Sequence, residues 1–138
     1  MKPNLILISH GNLASALIES AKMILGDLHN YDAIDMLPND TFVEIEEKLK
    51  NVLDKYKDQY IIIMTDIYGG TPFNIASKFY RKNDNICLIS GMNLDMVLEY
   101  FSSDYTGKKL IDELISVAKD SITLYKKNDN DVYQDIDL

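Results

Sequence analysis

The sequence predicts an α/β fold: a three-layer sandwich in which helices cover both faces of a mainly parallel sheet of about five strands. Two observations carry this. The runs NLILIS at 4–9, YIIIMT at 60–65 and ICLIS at 86–90 are apolar, bounded by turn signals and too short for helices. Between them lie segments whose apolar residues recur at helical spacing. Strands alternating with helices imply βαβ units, parallel pairing and right-handed crossovers.

Taken in order, Asn4 to Ser9 ends at the turn signal His10-Gly11 and reads as a buried strand. From Leu13 to Leu25, Ala14, Leu17, Ala21 and Ile24 recur at helical spacing, and Gly26 terminates the helix. Tyr31 to Met36 is a second strand. Thr41 and Glu44 form a capping-box pattern that opens a helix with Phe42, Ile45, Leu49, Val52 and Tyr56 on one face. Tyr60 to Thr65 is the most apolar stretch and belongs at the sheet centre, covered on both faces. Thr71-Pro72 reads as an N-cap followed by proline at the first helical position, starting a helix to about Arg81. Ile86 to Ser90 is a fourth strand, Asn93 to Phe101 and about Lys108 to Lys119 are helices, and Ser121 to Tyr125 is a candidate closing strand. No repeat or linker divides the chain, so residues 1–127 are expected to form one domain. The segment 128–138 has no packing face and carries four Asp, so it is expected to be a flexible acidic tail.

Composition narrows the function. The chain has 138 residues, 46% hydrophobic and 26% charged, which is the balance of a folded domain. A formal net charge of −8 works against nucleic-acid and anionic-lipid partners. No apolar run is long enough to span a bilayer, and the Met-Lys-Pro-Asn start does not read as a signal peptide. Cys87 alone provides neither an internal disulfide nor a cysteine metal cluster. The expected compartment is the cytoplasm.

Open parallel sheets bind ligands beyond the carboxyl ends of their strands. The residues there are Ser9-His10-Gly11-Asn12, then Asp66 to Asn74 (DIYGGTPFN), then Ser90-Gly91-Met92-Asn93. If the first and third strands are neighbours, His10 and Asp66 meet. A carboxylate accepting from one imidazole nitrogen fixes the tautomer and leaves a lone pair on the other, as a histidine nucleophile requires. Gly69 and Gly70 let backbone approach a ligand, and the helix N-terminus at Thr71 is suited to an anion. Pro72 has no N–H, so the expected donors are the Gly70 and Thr71 amides and the Thr71 hydroxyl. No metal ligand set accompanies them, and no cofactor is expected.

Each residue also has a plainer reading. A histidine at a strand end can be merely exposed, Asp66 can cap a turn, and Gly-Gly-Thr-Pro can be an ordinary loop-to-helix junction. It is their convergence on two neighbouring strand ends that points to a site. Cys87 lies within an apolar strand and reads as buried and inert, and His29 as exposed. Met23, Met36, Met64, Met92 and Met96 mostly fall at core positions, with Met92 also placed to serve a docking surface.

LILISHG at 5–11, MTDIYGGTPFN at 64–74 and ISGMN at 89–93 together resemble the enzyme IIA domain of the mannose class of the bacterial sugar phosphotransferase system. The resemblance covers nearly the whole domain, to about Lys127. It implies that His10 accepts phosphate through Nε2 from the phosphocarrier HPr and passes it to an enzyme IIB domain, with Asp66 as the partner of His10. Thr71 stands where family members carry Ser or Thr near the phosphate. It further implies a homodimer in which the last strand, here Ser121 to Tyr125, is exchanged. Sugar binds other subunits, so membrane association is expected only through the permease, and this chain is expected to be a free-standing enzyme IIA.

Three alternatives compete. The phosphotransfer subunit that feeds dihydroxyacetone kinase has a related carrier domain, but the Gly-Gly-Thr-Pro-Phe-Asn stretch favours the sugar system. A histidine phosphatase shares the strand-end His-Gly but needs an arginine where Ser9 stands. A receiver-type module phosphorylated on Asp66 needs acidic residues where this chain has Ser9 and His10.

Overall fold

The structure is a computed structural model describing residues 2–127; the acidic segment 128–138 lies outside them. The strands are β1 (Asn4–His10), β2 (Tyr31–Met36), β3 (Ile61–Thr65) and β4 (Ile86–Ser90). The helices are α1 (Leu13–Leu25), α2 (Phe42–Lys55), α3 (Thr71–Tyr80), α4 (Leu94–Ser102) and α5 (Gly107–Asp120). The strands pair in parallel in the order β2-β1-β3-β4, with Leu5 opposite Tyr31 and Ile62, and Ile63 opposite Leu88.

The pleat of the two central strands builds two cores. Successive side chains alternate between faces, so Leu5, Leu7, Ile62 and Met64 pack against α1, α4 and α5. Ile6, Ile8, Ile61 and Ile63 pack on the opposite face with Ile45 and Leu49 of α2 and Ile75 and Ala76 of α3. All eight strand residues are buried, each contributing about 1.5–3 kcal/mol relative to an exposed position. Tyr100 of α4 is buried with them and donates its hydroxyl to the Pro3 carbonyl, tying the amino terminus to this core.

The element order follows the sequence reading, with differences that have physical causes. Among the described residues the sheet has four strands rather than about five. Segment 122–127 follows α5 without regular structure, and Ile122 and Tyr125 are 84% and 87% exposed. Its alternating pattern gives β-propensity, which becomes a strand only where a neighbouring strand supplies a ladder. The capping box is present, with the Thr41 hydroxyl accepting from the Glu44 N–H at 3.2 Å. At α3 the cap is Gly70, one residue before the expected Thr71, because Thr71 already has helical geometry. At α4, Asn93 is the N-cap, its side-chain oxygen accepting from the Met96 N–H at 2.9 Å. The buried stripe of α1 is Ala14, Ile18 and Ala21, which leaves Ile24 and Met23 outside, Met23 89% exposed. Phe42 is likewise exposed, and Met92 is buried in the core rather than offered for docking.

Candidate functional site

The order β2-β1-β3-β4 places the switch in winding direction between β1 and β3, since the chain moves from β1 outward to β2 and from β3 outward to β4. The crevice at such a switch lies at the carboxyl ends of the two strands. His10 is the last residue of β1 and Asp66 the first after β3. The alternation that puts Ile6 and Ile8 on the α2–α3 face puts His10 there too, and Ser9 on the α1 face.

His10 and Asp66 meet as expected. His10 Nδ1 lies 2.8 Å from Asp66 Oδ2, and the His10 backbone N–H donates to the same oxygen at 2.9 Å. The Ile67 N–H donates to Asp66 Oδ1 at 3.0 Å. Burial raises the Asp66 carboxyl, but the His10 backbone N–H, the His10 ring and the Ile67 N–H outweigh it and hold the group below its ordinary value. An ionised carboxylate only accepts, so in the neutral form of the ring Nδ1 carries the proton and Nε2 the lone pair. The Asp66 side chain is 12% exposed and that of His10 48%. The carboxylate is thus sheltered and the imidazole open.

Two helices start beside this pair. At the N-terminus of α1 two amides are engaged from within: the Ser9 hydroxyl accepts from the Ala14 N–H at 2.7 Å, and Asp35 accepts the Ser15 N–H at 3.0 Å and the Ser15 hydroxyl at 2.5 Å. The N-terminus of α3 has no side-chain cap. The Gly70 N–H donates to the Ile67 carbonyl at 3.3 Å and the Asn74 N–H to the Gly70 carbonyl at 2.8 Å. Pro72 donates nothing, so the Thr71 and Phe73 N–H groups and the Thr71 hydroxyl are the donors left for an anion. Gly70, expected as an amide donor, is therefore already engaged. The Asn74 amide clamps the loop by donating to the Gly69 carbonyl at 3.1 Å. Beside it, Tyr68, 78% exposed, stacks on Phe73 with ring centroids 4.5 Å apart.

The other candidates fall elsewhere. The stretch after β4 supports the crevice from below: the Met92 N–H donates to the Thr65 carbonyl at 3.0 Å. The Asn93 amide donates to the Ala118 carbonyl at 3.1 Å and to the Ser121 hydroxyl at 3.3 Å. His29 is exposed and precedes the amino end of β2, so it lies at the edge of the sheet opposite His10. Cys87 is half-buried on the edge strand, and burial pushes its thiol up, away from the reactive thiolate. Sequence reasoning missed Asp35, Ser15 and the capping role of Ser9. Asp35 was within reach, because it too stands near the carboxyl end of a strand and pairs with Ser9.

Over residues 4–118 the chain matches the EIIA-man family, described as the PTS system fructose IIA component. It is 26% identical over 121 residues to the sorbose-specific EIIA component of Lacticaseibacillus casei, covering 86% of this chain and 88% of that protein. It is 28% identical over 121 residues to the fructose-specific EIIA component of Bacillus subtilis strain 168, covering 86% and 83%. To the mannose-specific EIIAB component of Escherichia coli K12 it is 29% identical, over 83% of this chain and 35% of that protein. Among solved structures, the mannose/sorbose-specific IIA subunit of Enterococcus faecalis superposes with a TM-score of 0.87 at 28% identity, covering 92% of this chain and 97% of that one. The EIIA component of Streptococcus agalactiae superposes with a TM-score of 0.80 at 26% identity, covering 87% and 95%.

Proposed function

We infer the path of the phosphoryl group from one premise: this chain belongs to the mannose-class enzyme IIA family of the sugar phosphotransferase system and is a phosphocarrier. The acceptor is His10. The single observation that carries this is the 2.8 Å contact of His10 Nδ1 with Asp66, which leaves the Nε2 lone pair on an exposed ring at the switch point of the sheet.

In the proposed step, the Nε2 lone pair of neutral His10 attacks the phosphorus of a phosphohistidine on HPr. The new N–P bond forms in line with the one that breaks, and its electron pair returns to the donor imidazole. Positive charge that develops on His10 is held by Asp66. The Thr71 amide and hydroxyl, with the Phe73 amide, hold the equatorial oxygens, so catalysis is positioning plus electrostatics. Delivery to an enzyme IIB domain reverses these roles. Asp66 itself is a poor acceptor, because both its oxygens are occupied by N–H groups and it is sheltered. That argues against a receiver-type module. The relatives described above are sugar-system components, which favours sugar uptake over the kinase-linked reading.

We further propose a cytoplasmic homodimer. No described helix is long and apolar enough to cross a membrane. Edge strand β4 leaves a groove against α5, lined by Cys87, Leu88, Ile111, Ile115 and Ile122. An exposed apolar segment such as 122–125 from a second copy would supply the ladder that β4 lacks.

The test is to incubate the purified chain with phosphoenolpyruvate, enzyme I and HPr and to locate the phosphate by mass spectrometry and acid lability. One acid-labile phosphate on His10 is expected, and none on a folded His10→Ala chain. Undiminished labelling of that variant would remove His10 from the mechanism.

A further inference from the structure

The paired glycines of the loop before α3 answer two different demands. Gly69 has φ +80, a left-handed conformation that disfavours side chains, while the space beside it is open. Gly70 has φ −74 and ψ 171, which any residue adopts, so its backbone does not call for glycine. Its surroundings do. A Cβ on Gly70 would stand 2.8 Å from His10 Cε1 and 2.8 Å from Ile67 Cγ2.

We propose that Gly70 is a positioning residue for His10: the missing side chain forms a seat on which the imidazole edge rests. The inference depends on His10 being the acceptor. Asp66 holds the ring at Nδ1 alone, and one hydrogen bond leaves the ring free to swing about it, since the terminal torsion of histidine is soft. Cε1 is the carbon between the two nitrogens. Backing it with the Gly70 backbone gives a second point of support and fixes the direction in which Nε2 presents its lone pair. In-line transfer depends steeply on that direction. Gly70 thus acts through the ring, and its N–H remains committed to the Ile67 carbonyl.

In Gly70→Ala, either Ile67 or the ring must yield. Ile67 is exposed and can rotate away. The ring yields by swinging about its bond to Asp66, which weakens that bond and re-aims Nε2. Nitrogen-15 spectra of labelled His10 should show the Nδ1–H tautomer in the native chain and a mixture of tautomers in Gly70→Ala. Phosphoryl acceptance from phospho-HPr should fall about 100-fold, as for a 1 Å misplacement of a reacting group, in a chain that remains folded by circular dichroism. Gly70→Ala/Ile67→Ala removes the second clash and relieves the loop, so it carries the test should the single variant fold poorly, and it is expected to remain defective. Full recovery in the double variant would mean that the space at Gly70 serves Ile67, and would overturn the proposal. So would a native tautomer and native rate in Gly70→Ala. Failure of the native chain to accept phosphate would instead sink the phosphocarrier assignment of His10, and the tautomer comparison would still decide the seat.

Discussion

The N-termini of α1 and α3 begin within a few residues of His10 and Asp66, yet they are finished in opposite ways. At α1, the Ala14 and Ser15 amides of the first turn are taken by Ser9 and by Asp35, whose negative charge also answers the positive end of the helix. At α3, the cap is a glycine, the second residue is a proline, and the remaining donors are left open. A helix start is an anion site only while its donors are unspent. The proposed phosphoryl site therefore falls at α3, with α1 as a structural buttress. The pleat of β1 makes this division workable, since Ser9 faces α1 and His10, its neighbour in sequence, faces α3.

Four expectations sharpen or break that contrast. The largest effect is expected from Asp66→Asn, with transfer from phospho-HPr falling about 10³-fold, within the range for a lost acid–base partner. An amide cannot accept from both His10 groups and the Ile67 N–H, and turning its NH₂ toward Nδ1 would move the ring proton to Nε2. A rapid-quench rate within tenfold of native would detach Asp66 from the mechanism. Next comes Thr71→Ala, which removes a hydroxyl donor and should slow transfer about 10²-fold, in the range for one oxyanion donor, while Thr71→Ser keeps the rate. If Ala and Ser transfer equally well, the hydroxyl plays no part.

Asp35→Asn should be the mirror image of Thr71→Ala. Urea unfolding should show a loss of about 0.5–1 kcal/mol, because the charge at the helix start is gone, with the transfer rate within twofold of native. A rate loss as large as that of Thr71→Ala would mean that α1 shares the phosphate, and the contrast would collapse. The smallest effect is expected from pH. The Asp66 carboxyl is held below its ordinary value of 3.8 in the folded chain. Its contribution to stability is therefore present above pH 3.8 and lost as pH falls through the lower folded value. Acid unfolding of native protein should lose that contribution in this window. Asp66→Asn should lack it, and parallel curves for the two would leave the His10–Asp66 contact without energetic weight.

How far the sequence could be read depended on the range of the interaction. The capping box at Thr41 and Glu44, the β2 boundaries and the end of α1 at Gly26 involve neighbours along the chain, and all were legible. His10, Asp66 and Thr71 were legible as candidates because parallel sheets collect function at strand ends. The proposed strand at Ser121–Tyr125 was not resolved by propensity alone, because a strand needs a partner and propensity does not name one. Asp35 and Ser15 were missed because each is ordinary locally and acquires a role only where β2 lies beside β1. Gly70 was read as a backbone feature, since sequence distinguishes a glycine needed for its torsion from one needed for its size only when the neighbour is known.

By itself, then, the sequence determined the alternation of strands and helices, the two-faced apolar pattern of β1 and β3, and the residue types waiting at the strand ends. These follow from backbone period and from hydrogen bonds over a few residues. Tertiary structure alone decided that β1 and β3 adjoin, that Nδ1 of His10 meets Asp66 at 2.8 Å, and that the edge of its ring lies against Gly70. Those outcomes join residues 56 or more positions apart, and only the packing of two cores on one sheet sets such distances.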